Sequence, residues 1–280
     1  MNRTVLFALH SFVVIFSVVQ FAHGAIVKGD FVMAFTFEGG DDKFGQAAEG
    51  ILKDVSGNGH NGEFRKSPKW VEGVWGAGLE VGPVRKGVNA GWNAVTVPHA
   101  SEMDLQKFSI AAWVRVEELV GGCCNMIVSK ENWAADGTRN YSMWMREQVT
   151  IGFTTRNPFN DVQARGIVIT DGAWHHAVGT YDGQTLTQYV DGVAYGKAPL
   201  AEHAPAFHLS ERLHIGAMGP FGSSLGMSGI VDEVAIFNRG LTEDEVNDLM
   251  TNGLENILES QAVDPMHKMA TTWARLKSNE

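Results

Sequence analysis

Carboxylates, histidines, cysteines and aromatic rings are the groups in this sequence that could do chemistry, and their spacing sorts them. Asp232 and Glu233 are consecutive within an apolar run, so on a strand they point to opposite faces. Ile230, Val234 and Ile236 share the face expected for Asp232, and Val231, Ala235 and Phe237 share that of Glu233. At least one of the two acids is expected to be desolvated, and a buried carboxylate requires a partner, either a cation, an arginine or backbone amides. Glu243, Asp244 and Glu245 are equally dense, but they follow Thr242 and precede Val246, Leu249 and Met250. That is a capping box with acids in the first turn of a helix, not a catalytic pair. Gly226-Met227-Ser228-Gly229 lacks the spacing of a nucleophile elbow.

Oxygen donors gather once more. Asp54, Ser56, Asn58 and Asn61 lie in a glycine-rich stretch. Ca²⁺ takes roughly six to eight oxygen ligands, and such a loop can turn carbonyls inward. No glutamate stands where an EF-hand requires one, and Asx turns are the competing account of the same residues. His175 and His176 alternate faces, and with Cys123 and Cys124 they show no zinc spacing. Hydrogen bonding and packing within a sheet account for both histidines. Adjacent cysteines are only about 3.8 Å apart across a trans peptide, which strains a mutual disulfide. A vicinal bridge, two free thiols and an intermolecular bridge all stay open.

Sugar recognition commonly pairs an aromatic face with polar groups. The longer central loops supply Trp133, Trp144, Phe159 and Phe221, with Asn132, Arg139, Arg156 and Asn157 nearby. Trp133, Arg139, Trp144 and Phe159 are the ligand-contact candidates, and core packing is the alternative role for their rings.

The elements that must position these groups are mostly strands. Residues 1–24 carry one charge, an apolar run and Ala22-His23-Gly24, the pattern of a cleaved secretory signal. A secreted, periplasmic or extracellular location follows, with no membrane span once that segment is removed. The chain has 22 basic and 32 acidic residues, a net charge of −10, which excludes phosphate-backbone binding to nucleic acid. Beyond residue 24, short β-like runs alternate with Gly, Asn, Asp and Pro clusters. Strands are expected at Val32–Phe37, Leu79–Val81, Ala94–Val97, Phe108–Val116 and Met126–Lys130. Further strands are expected at Tyr141–Arg146, Val149–Thr155, Trp174–Tyr181, Thr185–Val190, Val193–Tyr195, Leu213–Gly216 and Ile230–Phe237. Asp182-Gly183 and Asp191-Gly192 are hairpin turns. The helix from Thr242 and short helices at Leu254–Leu258 and Met266–Leu276, separated by Pro265, end the chain. The reading is an all-β, two-sheet antiparallel sandwich over residues 25–252, with a helical tail over 253–280.

Several runs also resemble one family. Gly172-Ala173-Trp174-His175-His176-Ala177-Val178-Gly179-Thr180-Tyr181-Asp182-Gly183, followed by Val190-Asp191-Gly192, resembles a hairpin of laminin-G-like jelly rolls. Phe108–Arg115, Gly229–Arg239 and the loop from Asp54 to Gly62 resemble that family's other signatures, in the same order. The resemblance implies a concanavalin-A-like jelly roll, whose members include lectins, carbohydrate-binding and adhesion modules, and some glycan-degrading enzymes. It implies a structural Ca²⁺ near the first loop, with Asp54 and Asn58 as ligands. Glu38 stands where many relatives carry an aspartate, and Asp232 is the fourth candidate. Trp70, Trp75, Trp113 and Trp174 fall on motif positions and are expected in the core. The paired-carboxylate strand signatures of hydrolases of this fold are missing. The resulting expectation is a secreted, non-catalytic module that binds a glycan. A module for an extracellular protein partner comes second, and a glycan-degrading enzyme third.

Overall fold

A computed structural model describes residues 25–262 apart from short internal segments at 41–42, 84–90, 117, 121–123, 132–138, 147, 155–158, 164–166, 201–210 and 220–224. The signal-like segment and the helix expected at Met266–Leu276 lie outside the described residues. Strands come in the order β1 (Phe31–Phe35), β2 (Ile51–Leu52), β3 (Gly62–Arg65), β4 (Lys69–Glu72), β5 (Ala77–Pro83), β6 (Trp92–Val97), β7 (Phe108–Arg115) and β8 (Asn125–Glu131). They continue with β9 (Arg139–Met145), β10 (Val149–Thr154), β11 (Phe159–Gln163), β12 (Trp174–Tyr181), β13 (Thr185–Val190), β14 (Val193–Pro199), β15 (Leu213–Ile215) and β16 (Gly229–Phe237). Helix α1 (Glu243–Ala262) follows. No helix among the described residues is long and apolar enough to cross a membrane.

Two antiparallel layers form. The first runs β4-β5-β16-β7-β12-β13-β14, with β1 also paired to β16. The second runs β11-β10-β9-β8-β15-β6-β3-β2, and a short β5–β6 pairing joins the layers. Alternation along β7 explains the packing. Phe108, Ile110, Ala112 and Val114 enter the core between the layers, with Leu79, Val95, Tyr141, Met143, Ile215 and Val231. Ala111 faces outward into a second apolar cluster, where Phe31, Val178, Tyr189 and Phe237 meet Val246, Leu249, Leu254 and Ile257 of α1. The first layer is thus buried on both faces along part of its area.

Two local features reshape the expected pattern. In β16 the register shifts between Asp232 and Ala235, and Glu233 takes a left-handed φ of 51°. A bulge of this kind moves the following side chains to the opposite face. Val234 and Ile236 therefore join Val231 in the central core, while Ala235 and Phe237 face the helix. The face assignment expected from strict alternation is corrected accordingly, and both acids are buried. In α1 the backbone breaks at Gly253, φ 72°. Residues 254–262 form a second helical segment that carries Leu254 and Ile257 back onto the sheet, so the packed body runs past residue 252. Thr242 and Glu245 make the expected capping box: the Glu245 amide donates to Thr242 Oγ1 at 3.3 Å, and the Thr242 amide to Glu245 Oε2 at 2.8 Å.

Candidate functional site

The four calcium candidates take separate structural jobs. Asp54 is buried, and its carboxylate accepts amide hydrogens from Ala34 (3.0 Å), Ser56 (3.0 Å) and His60 (2.9 Å). Asn58 donates from Nδ2 to the carbonyls of Phe31 and Val32, at 2.8 and 3.1 Å. Both fasten the first loop onto β1. Glu38 lies in a single 3₁₀ turn, Glu38–Gly40. Asp232 accepts from the amides of Val74 (2.9 Å), Trp75 (3.3 Å) and Glu233 (2.8 Å). Among the described residues no three His, Cys, Asp or Glu side chains converge on a metal position. The oxygens of Asp54 and Asp232 are aimed at backbone amides.

Burial explains the unusual acidity of the Asp232-Glu233 pair. Desolvation, reinforced by Glu233, pushes the Asp232 carboxyl up to about 9 despite its three amide donors. Desolvation also raises Glu233 to about 7, while its hydrogen bond from the Leu254 amide acts in the opposite sense. Gly73 is obligatory beside this pair, since a β-carbon there would lie 2.4 Å from Asp232 Oδ2. The β4–β5 turn is therefore locked to β16, and Trp75 at its tip meets Trp113 edge-on at 5.6 Å.

The two histidines do alternate. His175 bridges Asp191 (2.8 Å) and Asp171 (3.1 Å) through its two ring nitrogens. Burial lowers its basicity, but the two carboxylates outweigh that and raise its pKa. His176 is buried against Trp113, ring centroids 5.1 Å apart, and desolvation holds it neutral down to about 4.

The sugar-contact candidates map onto the second layer. Arg139 stands in β9 opposite Glu131, and Phe159 stands in β11 opposite Thr154. Trp144 of β9 is 9% exposed and packs with Cys124, Met126 and Met218, so it is a packed ring and not an open platform. Trp133, Asn132, Arg156, Asn157 and Phe221 lie outside the described residues. Cys124 is disulfide-bonded, and the chain's other cysteine is its neighbour Cys123, outside the described residues. A polar row crosses this layer. Ser142, Ser129, His214 and Thr96 stand opposite one another in successive strands, and all four are buried.

An open groove lies elsewhere, on the outer face of the first layer beyond the reach of α1. Its volume is about 350 Å³, and Val71, Glu72, Glu80, Arg115, Glu118, Ser228 and Ile230 line it. Register builds it. Glu80 of β5, Ile230 of β16, Arg115 of β7 and Trp174 of β12 stand opposite one another in four adjacent strands. The Arg115 guanidinium lies 5.7 Å from the centroid of the Trp174 ring, a cation–π contact that fixes its plane. Among the described residues, the side chains of Arg115, Glu72 and Glu80 make no hydrogen bond or ion pair. Donors and acceptors of both signs thus face open space beside an indole. The sequence places Trp113 and Arg115 together on the outer face of their strand. Only the pairing of distant strands brings Glu80 and Trp174 beside them.

A family model described as the concanavalin A-like lectin/glucanases superfamily, Laminin_G_3, matches residues 89–247. The chain belongs to this superfamily. The laminin-G-like resemblance and the antiparallel sandwich are borne out together, and the groove-lining residues Arg115, Glu118, Ser228 and Ile230 fall within the matched region. No curated protein matches the sequence. Among solved structures, the binding domain of Paraclostridial Mosquitocidal Protein 1 aligns with a TM-score of 0.60 at 16% identity, covering 80% of this chain and 52% of that one. Domain 4 of the extracellular arabinanase AbnA from Geobacillus stearothermophilus, in complex with arabinotriose, aligns at 0.57 and 17% identity, covering 79% of this chain and 98% of that one. The binding domain of Botulinum neurotoxin DC, in complex with rat synaptotagmin II, aligns at 0.56 and 14% identity, covering 80% and 52%. This chain spans about half the length of the two toxin domains. At these identities the likeness establishes the fold, and the first and third of these neighbours are binding domains.

Proposed function

We propose that this laminin-G-like protein is an exported, non-catalytic module that binds a glycan in the groove beside Arg115. One observation carries the reading: an open groove holds an uncommitted guanidinium and uncommitted carboxylates next to an aromatic face. Sugar hydroxyls both donate and accept hydrogen bonds, so a polyol satisfies Glu72, Glu80, Arg115 and Ser228 at once. Val71 and Ile230 supply the apolar contact that a sugar ring's C–H face needs, and the indole of Trp174 braces Arg115. The arabinotriose complex of a same-fold domain supports the ligand class without fixing which sugar binds. The binding domains of the same fold support a binding role for the module.

Isothermal titration of the protein spanning residues 25–280 against a panel of neutral, basic and acidic oligosaccharides tests this. Arg115→Ala and Trp174→Ala should each weaken the binding found by about tenfold or more, the size of a central contact at an interface. Both variants should keep the unfolding midpoint of the parent within a few degrees. Unchanged affinity in both would remove the groove as the site. Absence of binding to every sugar would shift the function to recognition of an extracellular protein.

A further inference from the structure

Resting on the reading of this groove as a glycan site, we infer that it selects a sugar unit bearing a free ammonium group, as in glucosamine oligomers. Charge and position both point there. Three glutamates and one arginine line the groove, so its lining is net negative within a chain whose formal charge is already −10. Two of the three glutamates stand apart from the arginine, Glu118 following β7 on its side. Glu80 stands on β5 and Arg115 on β7, with Ile230 of β16 between them in register. Two strand spacings separate their backbones by roughly 10 Å. The two do not neutralise each other, and no ion pair joins Lys69 to Glu80 although they are register partners in β4 and β5.

The groove therefore has an acidic wall, formed by Glu72 and Glu80, and a basic wall held against Trp174. An ammonium at the acidic wall makes charge-assisted hydrogen bonds, and hydroxyls of the same or the next ring reach Arg115 and Ser228. A uronic or sulfated sugar meets the opposite balance. It gains only Arg115 and is repelled by the two uncommitted glutamates and by the field of the whole molecule. Acetylating the amine removes the charge while keeping the ring and its remaining hydroxyls, which makes the acetylated oligomer the matched control.

The experiment titrates the protein spanning residues 25–280 with glucosamine trisaccharide, its fully N-acetylated form and a galacturonate trisaccharide, at low and high salt. The glucosamine form should bind about tenfold more tightly than the acetylated one at low salt, the scale of two partly exposed ion pairs. High salt should erase most of that advantage. The double variant Glu72→Gln/Glu80→Gln should bind the glucosamine and acetylated forms with equal affinity, losing the preference for the ammonium form. Equal binding of the two forms by the parent protein, or a preference for the galacturonate, overturns the inference while leaving the glycan reading intact. Absence of binding to all three, and to the wider sugar panel, overturns the glycan reading itself.

Discussion

Asp232 and Glu233 illustrate how far single residues can be read. Their position in an apolar run announces desolvation, and both prove buried and displaced from ordinary acidity. What the run does not announce is the bulge, because a left-handed φ at a glutamate has no composition signal. The partners were equally invisible, since they are backbone amides of residues 74, 75 and 254. The pair makes stability depend on pH in a definite direction. In the unfolded chain Asp232 ionises near its ordinary value of about 4, whereas folded it keeps its proton to about 9. Between these values the native state binds the extra proton, so stability is highest at the acid end and falls as pH rises. Glu233 adds a smaller contribution that is spent by about 7, and the raised pKa of His175 acts in the same direction above its ordinary value near 6.5. Urea denaturation across pH 7–9 should show a decline bounded by about 1.4 kcal/mol per pH unit for each titrating group, whereas below about 6.5 the folded-state neutrality of His176 and His214 opposes it. Asp232→Asn should make the decline between pH 7 and 9 visibly shallower. An equally steep curve in the variant would mean that Asp232 is ionised in the folded protein.

At the scale of elements, the strands were legible because two-residue alternation and glycine-rich turns are local signals. Asp191-Gly192 is an example: both residues have positive φ, 51° and 79°, and the turn joins Val190 directly to Val193. The short strands β2, β3 and β4 escaped the reading, since pairing to a neighbour, and not internal pattern, makes them strands. Helix α1 was legible at its start and not at its kink. Its attachment rests on Arg239, whose guanidinium donates to Glu245 Oε1 (2.6 Å) and Oε2 (2.8 Å) and to Asp30 Oδ2 (2.8 Å). The same arginine therefore ties the end of β16 to the first turn of α1 and to the segment before β1. Both acids are held below their ordinary values, because the guanidinium's hydrogen bonds outweigh desolvation. Arg239→Met should cost about 2–4 kcal/mol, as for other partly buried, multiply hydrogen-bonded ion pairs that lose one partner. Amide exchange should also accelerate in α1 more than in β7. Equal protection of α1 in the variant and the parent would show that the apolar contacts of Val246, Leu249 and Leu254 suffice to hold the helix.

The whole molecule separates what is encoded locally from what only folding assembles. The sandwich was legible because its signatures recur in order along the chain, while the groove was not, because Glu80, Ile230, Arg115 and Trp174 come from four strands far apart in sequence. Trp174 was expected in the core from its motif position, yet it is only partly buried, beside Arg115. The calcium expectation has the opposite history: Asp54 and Asn58 are matched in the family pattern, while in the folded chain Asp54 and Asp232 accept from backbone amides and Asn58 donates to backbone carbonyls. This distinction is measurable. A cation bound to the native state and present at 100 times its dissociation constant would add about 2.7 kcal/mol, or about 5–10 °C in the unfolding midpoint of a domain this size. Unfolding in calcium and in EDTA should instead coincide. Asp54→Asn should lower stability by about 1–3 kcal/mol in both media, the cost of leaving a buried amide of Ala34, Ser56 or His60 short of its acceptor. A midpoint that drops in EDTA for the parent, and not for Asp54→Asn, would return Asp54 to the role of metal ligand. Otherwise the loop over β1 is held by the chain's own hydrogen bonds.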